Sequence, residues 1–551
     1  MKKLFYLVLA VCAALIIFFA VQKKCPFGAC GSTYGESLLN AVPEDSVLVF
    51  HFAIGRDLQE EFYSAPGYQD LIASLRANVK MLELVSKAAK TYSELSKGAS
   101  DVFFSADNPA AIFDYYAKPI FGEWVFYARG EMRKTEGKSD FYEEAVFFAR
   151  VIDRGFLAEL GESLSKMEGA EKEDAGYNFK DKGFVRLGAD FVVAARNREQ
   201  IEAFIANRES GLKTSILDSA KFKKLKGDSK IPVMSFYGDM SYLAAKAPEM
   251  ANAGIGMVDA FGLFISEGDM KSGTGRFAYS FIEDSKLCRF LNVASVLKGE
   301  FVKSSFKDST LALSLAIPSS DKEFKEFARE NIGKHDDEIL SLIEDNVKRI
   351  DLTVSELPPL PQMQMGKYPE AVIVIHCADA GKILENGQFA PMLNSPLFMK
   401  NTVAGADCRI SMFGFAVAKI GNEKIVLTSC KDLEKVIALA NGKGESLEDS
   451  DKAKLVKSLD GKSFMEAYIS YKNLIGIYKD VLLMMNATNT GDNADTDIAG
   501  ISDFFDMLDI MFVKYDIAFK ARAENGMIIS DFKAETDYDF KKAAEYVKTL
   551  K

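Results

Sequence analysis

Val47–Phe52 follows a two-residue hydrophobic period and is rich in β-formers, so it reads as a strand with Val47, Val49 and His51 on one face. A helical stretch is predicted from about Leu58 to Lys97. Trp124–Arg129 and Ala145–Ile152 read as strands, Phe156–Met167 as a helix, and Phe184–Leu187 with Phe191–Ala195 as a hairpin about Gly188. Helices follow at about Glu199–Asn207 and Leu217–Lys226, then a strand at Val233–Tyr237. Asp239 is placed to cap a short helix from Ser241. Strands at Phe261–Ser266 and Arg276–Ile282 close on a helix from Ser285 to Leu297.

The same grammar then returns. Strand Leu311–Ile317 leads to helices Lys322–Ile332 and Asp337–Leu352 and to strand Ala371–Cys377. Arg409–Lys419 and Lys424–Ser429 read as a hairpin, followed by helices Asp432–Ala440 and Asp451–Ser458 and strand Phe464–Ser470. Tyr515–Ala523 and Met527–Ala534 form a hairpin about Asn525-Gly526, a favoured turn pair, and a helix covers Phe540–Leu550. Leu357-Pro358-Pro359-Leu360-Pro361 reads as a stiff connector.

Three blocks recur in the same order. Asp45–Ile54 matches Asp308–Ile317 at five of ten positions. Tyr142–Leu157 matches Tyr368–Ile383 in its Tyr, Glu, Ala, Val, Asp and Gly, and Ser215–Leu243 aligns with Ser446–Leu474 at one offset. A tandem duplication is therefore expected, and antiparallel hairpins with helices between them predict α+β rather than doubly wound α/β. The expected architecture is two duplicated α+β halves, with mainly antiparallel sheets flanked by helices, behind one N-terminal transmembrane helix. The expected boundaries are 1–35 for anchor and tether, 36–305 for half A and 306–551 for half B.

The anchor rests on the run Leu4–Val21, which carries no charge and is bracketed by Lys2-Lys3 and Lys23-Lys24. At 1.5 Å per residue such a run spans about 27 Å, enough for a hydrocarbon core and longer than an ordinary secretory core segment. An uncleaved signal anchor is preferred over a cleaved signal peptide. A lipoprotein fits least, because Cys12 lies inside the run and Cys30 is separated from it by Lys23, Lys24 and Pro26. The short leading tail makes N-in, C-out the default. The expected location is a bacterial inner membrane, crossed once, with the body in the periplasm.

Composition adds exclusions. Lys and Arg number 68 against 79 Asp and Glu, so the net charge of −11 speaks against nucleic acid as a partner. Three histidines, His51, His335 and His376, leave little for a histidine metal site or triad. Seven cysteines do not make a disulfide scaffold. Cys25 and Cys30 bracket a short loop and are a candidate disulfide in an oxidising compartment, against two reduced thiols in a tether. Cys288, Cys377, Cys408 and Cys430 sit in apolar patterns and read as buried small hydrophobes.

Pro43-Glu44-Asp45-Ser46 and its repeat Asp308-Ser309 open apolar strands, and Ser446-Leu447-Glu448-Asp449-Ser450 precedes a helix and then a strand ending near Tyr468. In these features the chain resembles a group of bacterial envelope proteins of the domain-of-unknown-function type, signal-bearing and large. The resemblance covers most of 45–551. It implies an exported α+β repeat protein and carries no catalytic residues.

Chemical motifs are sparse. His51 and His376 sit on strands beside Val47 and Val49 and beside Val372 and Val374, so both read first as core or sheet-edge histidines and second as catalytic bases. His335 lies in a polar turn. Asp495–Asp506 partly matches a calcium loop, but Ala499 stands where Asp or Asn is wanted and Asp506 where Glu is wanted, so an acidic loop is the better reading. Gly254-Ile255-Gly256 lacks the third glycine of a dinucleotide loop. No Walker loop, Gly-x-Ser-x-Gly, His-Glu-x-x-His or paired Cys-x-x-Cys occurs. No catalytic residue, metal ligand or cofactor is assigned.

Forty-two Phe and twenty Tyr, including Phe103, Phe104, Phe126, Tyr127, Phe147 and Phe148, read as aromatic sheet packing or as an apolar groove for lipid or peptide. Leu71–Leu95 and Asp337–Leu352 are candidate walls of that groove. The first expectation is non-enzymatic binding of a partner protein or an apolar ligand, lipid or peptide, in the periplasm. The alternatives are an enzyme of unrecognised class with a carboxylate- or His-based site, and a structural spacer.

Overall fold

The computed structural model describes residues 37–550, apart from 54–62, 97–109, 111–112, 114–120, 130–133, 136–137, 140–144, 167–168, 174–175, 180–182, 228–231, 241–257, 269–271, 282–285, 332–336, 360–361, 364–366, 388 and 488–493. By contact density the chain divides into two compact units. Unit 1 is Met1–Ser280 with Leu483–Val513 and Thr536–Lys551, and unit 2 is Phe281–Leu482 with Lys514–Glu535.

Unit 1 is built on β1 (Ser46–Ala53), β2 (Phe121–Arg129), β3 (Ala145–Val151), β4 (Ala170–Glu173), β5 (Gly176–Phe179), β6 (Gly183–Leu187), β7 (Phe191–Ala195), β8 (Met234–Asp239), β9 (Val258–Gly268) and β10 (Ser272–Phe281). Antiparallel pairing runs β4-β5-β6-β7-β3-β2-β1-β8-β9. One face of its centre carries Val49, His51, Val125, Tyr127, Val146 and Phe148. The last is fully buried. Helices α1 (Tyr68–Ala77), α2 (Val79–Ser96), α3 (Arg154–Lys166), α4 (Arg198–Ser210) and α5 (Ala220–Lys226) accompany the strands. Helix α4 starts on an Asn197–Gln200 capping box and places Phe204 5.0 Å from the Phe148 ring.

Unit 2 uses β11 (Leu311–Ala316), β12 (Val347–Glu356), β13 (Glu370–Cys377), β14 (Phe398–Val403), β15 (Ala406–Ser411), β16 (Ala416–Ile420), β17 (Lys424–Thr428), β18 (Met465–Ser470), β19 (Phe512–Glu524) and β20 (Met527–Tyr538). Pairing runs β14-β15-β16-β17-β13-β12-β11-β18-β19. Phe301, Leu447, Leu455, Val456 and Tyr468 share a core cluster there. A second cluster holds Val372, Val374, Cys408, Val426, Val436 and Ile437.

The expected fold class is corrected. Twenty strands belong to one large antiparallel sheet, accompanied by fifteen helices among the described residues, not to tandem α+β halves with sheets of their own. Hydrophobic alternation reports that a segment is a strand. It does not report where its sheet ends, because each edge is closed or continued by non-local N–H···O=C partners. The transmembrane helix that completed the expected class lies outside the described residues. Within them no helix is long and apolar enough to cross a membrane.

Three element bounds also differ from expectation. The helix expected through Leu352 stops at Ile343. Asp345 turns the chain at φ 60°, and β12 follows. Asn78, in an extended conformation, separates α1 from α2, and its side chain caps Met81 while donating to the carbonyls of Val547 and Leu550. The strand expected over Arg409–Lys419 is broken by a turn at Met412–Phe415, where Gly414 has φ 86°.

Candidate functional site

Two kinds of feature stand out, buried ionic clusters on the sheet and an exposed apolar turn. In unit 1 a β-bulge interrupts the β2–β3 register between Phe121 and Trp124. Against β1 the register is unbroken there, and it sets Glu123 on the face of Val125 and Tyr127, at 2% exposure. Its Oε1 accepts the Leu38 amide at 2.7 Å, His51 Nε2 at 2.9 Å and the Ser37 hydroxyl at 3.2 Å. Arg150 Nε stands 3.3 Å from Oε2. Burial alone would raise this carboxyl, but His51, Leu38 and Arg150 outweigh it and hold it below its ordinary value. His51 is itself 1% exposed, and its Nδ1 has no hydrogen-bond partner among the described residues. That leaves Nε2 as the protonated ring nitrogen, donating to Glu123.

Above Arg150 lies a cavity of 240 Å³ lined by Ser37, Leu38, Asn40, Ala41, Arg150, Asn207, Arg208 and Gly211. The 3-10 turn Leu38–Ala41 forms one wall and the last turn of α4 the other. Arg208 lies over the rings of Phe148 and Phe191, at 5.0 and 5.3 Å from their centroids.

Unit 2 carries a cluster of the same composition at different strand positions. Asp351, 2% exposed, accepts Ser314 Oγ at 2.7 Å, Ser304 Oγ and His376 Nε2 at 2.9 Å, and Arg349 Nη2 at 3.0 Å. The register explains the meeting, since Ser314 faces Asp351 across β11–β12 and His376 faces Arg349 across β12–β13. Burial pushes the Asp351 carboxyl up, and the His376 hydrogen bond with the Arg349 charge more than reverses it. Glu466, fully buried on β18, accepts the Gly299 amide at 2.7–2.8 Å, Ser463 Oγ at 2.9 Å and, at 3.5 Å, the Lys520 ammonium. In each unit, then, a buried carboxylate holds the start of a 3-10 turn, Leu38–Ala41 in one and Glu300–Lys303 in the other.

The apolar turn is in unit 2. Met412 is 67% exposed, Phe413 59% and Phe415 41%. The Met412 amide donates to the Leu397 carbonyl, which brings exposed Leu397 and Met399 alongside, and the Phe415 ring meets exposed Tyr368 at 4.9 Å. Strand β14 runs out of this patch. Among the described residues it pairs on one side only, with β15, and Met399–Thr402 are exposed on both faces.

Of the residues singled out from sequence, His51 and His376 are ligands of structural carboxylates. His335, Cys25, Cys30, Phe103, Phe104 and Gly254–Gly256 lie outside the described residues. Cys288, Cys377, Cys408 and Cys430 are buried. The segment read as an acidic calcium-like loop is helical, Ala494–Met511, with Phe504, Phe505 and Leu508 buried. No group of three or more His, Cys, Asp or Glu among the described residues could hold a metal ion. Sequence reasoning missed Glu123, Arg150, Asp351 and Arg349. The available signal was an acid or arginine inside an otherwise apolar strand. It also missed the turn at Met412–Phe415, which Gly414 between two phenylalanines could have marked.

No family model, curated protein or solved structure matches this chain.

Proposed function

We propose that the protein is a non-enzymatic binding protein of the bacterial envelope that docks a partner protein through the apolar turn of unit 2. The observation that carries this reading is the contiguous exposure of Leu397, Met399, Met412, Phe413 and Phe415 beside a one-sided edge strand. Apolar side chains gathered in this way mark interaction surfaces, because water contact costs free energy that a partner removes. A protein is favoured over a lipid because the open edge of β14 offers N–H and C=O groups that an added strand can pair and an acyl chain cannot. The enzymatic alternative has less support, because both described imidazoles are already bonded to buried carboxylates.

The test is a photo-crosslinking amino acid at Phe413 of the full chain in its own host, with Val79, exposed on α2, as control position. A discrete protein adduct at Phe413 that is absent at Val79 and lost on Met412→Asp is the expected result. Adducts to lipid alone, or none, would sink the reading.

A further inference from the structure

We infer that the open edge of β14 takes an added antiparallel strand whose residue opposite Lys400 is an Asp or Glu with apolar neighbours on either side. This rests on the docking reading above and names the kind of segment that is bound. The two-residue loop Ala404-Gly405 joins β14 to β15 with both residues at positive φ, 46° and 80°. In such a hairpin the closing pair, Val403 and Ala406, exchanges hydrogen bonds, and bonded pairs recur at every second residue. Asn401–Cys408 and Met399–Ile410 are therefore bonded pairs, and beyond them the Met412 amide reaches the Leu397 carbonyl at 3.1 Å. Phe398, Lys400 and Thr402 turn their backbone groups to the open side. The Phe398 amide donates to the Ser395 carbonyl at 3.1 Å and the Thr402 amide to Asn401 Oδ1 at 2.8 Å. Lys400, between them, keeps both its N–H and its C=O for an incoming strand.

The two faces of this edge differ in chemistry. Lys400 stands directly opposite Arg409, so one face carries two cations side by side, an arrangement that costs stability unless a carboxylate answers it. Among the described residues neither has an ion-pair partner. Arg409 bonds the carbonyl of its own neighbour Cys408, at 3.2 Å, and Asp407 stands across from Thr402 and Lys419. Strand β14 itself carries no acid. A second copy pairing through the same edge would bring two more cations to the two already there. An Asp or Glu beside Lys400 instead extends the row Arg409–Lys400 with the opposite charge. The other face carries Met399, 64% exposed, with exposed Leu397 two residues before it and bonded to exposed Met412. Side chains alternate along a strand, so the residues flanking the acid fall on that face, where apolar ones cover Met399.

The experiment follows the protein adduct that the full chain forms in its host through the photo-crosslinking amino acid at Phe413, in Lys400→Glu, Lys400→Pro and Lys400→Arg. Lys400 is exposed, and an edge strand tolerates proline where the N–H faces outward, so the purified variants should keep the wild-type melting temperature. Adduct yield should fall at least about tenfold in Lys400→Glu, which repels the acid, and in Lys400→Pro, which removes the outward N–H, and should persist in Lys400→Arg. The same crosslinking amino acid at Thr402 should capture the same protein, and tandem mass spectrometry should place that link within two residues of an Asp or Glu with apolar neighbours. An undiminished Phe413 adduct in Lys400→Glu, or a Thr402 link to a segment without an acid, would overturn the acidic strand and leave the docking reading standing. No Phe413 adduct in the wild type would overturn both.

Discussion

Leu38 donates its backbone N–H to Glu123 Oε1 at 2.7 Å, which ties the opening turn of unit 1 to the middle of its sheet. The contact spans 85 residues of sequence and is buried. Glu123 thus serves as the anchor for a turn, for His51 and for Arg150 at once. Glu123→Ala should destabilise the protein by about 3–5 kcal/mol, because it leaves a buried cation and several donors without their acceptor. Urea unfolding followed by circular dichroism measures this, and a loss under about 1 kcal/mol would show that the cluster contributes little.

The same carboxylates set an acid limit. Glu123 and Asp351 are held below 4.5 and 3.8, the values of the free side chains. A group depressed in the folded state adds stability that is complete above its unfolded value and is lost as pH falls through its folded value. Stability should therefore be flat with respect to these two groups above about pH 5 and fall with acidification below pH 4.5. The double variant Glu123→Gln, Asp351→Asn should be less stable at neutral pH and show a shallower acid slope. Urea midpoints between pH 6 and pH 3 give the comparison. Parallel slopes in the two proteins would rule out these carboxylates as the source.

Much of the local structure was legible in the sequence, because capping, alternation and turn chemistry are local. Ser215-x-x-Asp218 and Ser446-x-x-Asp449 both form capping boxes ahead of a short helix, as their spacing implies. Asn525 and Gly526 both adopt positive φ between β19 and β20. The joining of strands into one sheet was not legible, since it depends on partners hundreds of residues apart. Nor were the ionic clusters. Glu123 reaches His51 through the non-local register of β1 on β2, and Asp351 reaches His376 only through a strand that was read as helix. The Asp495–Asp506 segment misled because its acids drew the eye from the buried spacing of Phe504, Phe505 and Leu508.

The exposed turn of unit 2 should separate binding from stability. Met412 and Phe413 are mostly in water, so Phe413→Asp removes little packing and should change stability by no more than about 0.5 kcal/mol. The melting temperature checks this. A large drop would mean that Phe413 is a core residue of the folded chain and not a docking residue.

The buried cysteines supply a probe of opening. Burial raises the thiols of Cys377, Cys408 and Cys430, which lowers the thiolate fraction as well as access. Alkylation mapped by mass spectrometry should leave Cys288, Cys377, Cys408 and Cys430 unmodified in the native protein and modify all four in denaturant. Fast native labelling of Cys408, fully buried on β15, would place the β14–β15 edge among the first parts to open.

Glu466 and Lys520 test how unit 2 tolerates a buried charge pair. The two stand 3.5 Å apart on neighbouring strands, at 0% and 8% side-chain exposure. Lys520→Met leaves Glu466 still bonded to the Gly299 amide and Ser463. Glu466→Leu instead strands the ammonium and the Gly299 N–H together. The second change should therefore cost more, on the order of 3–5 kcal/mol, than the first. In the double variant the lost ion pair no longer matters, but the Gly299 amide is still without its acceptor. Its stability should lie above that of Glu466→Leu and below that of the wild type. A double-mutant cycle in urea measures the coupling. If Lys520→Met proved the more damaging single change, the carboxylate would be held chiefly by its ion pair and not by the turn it caps.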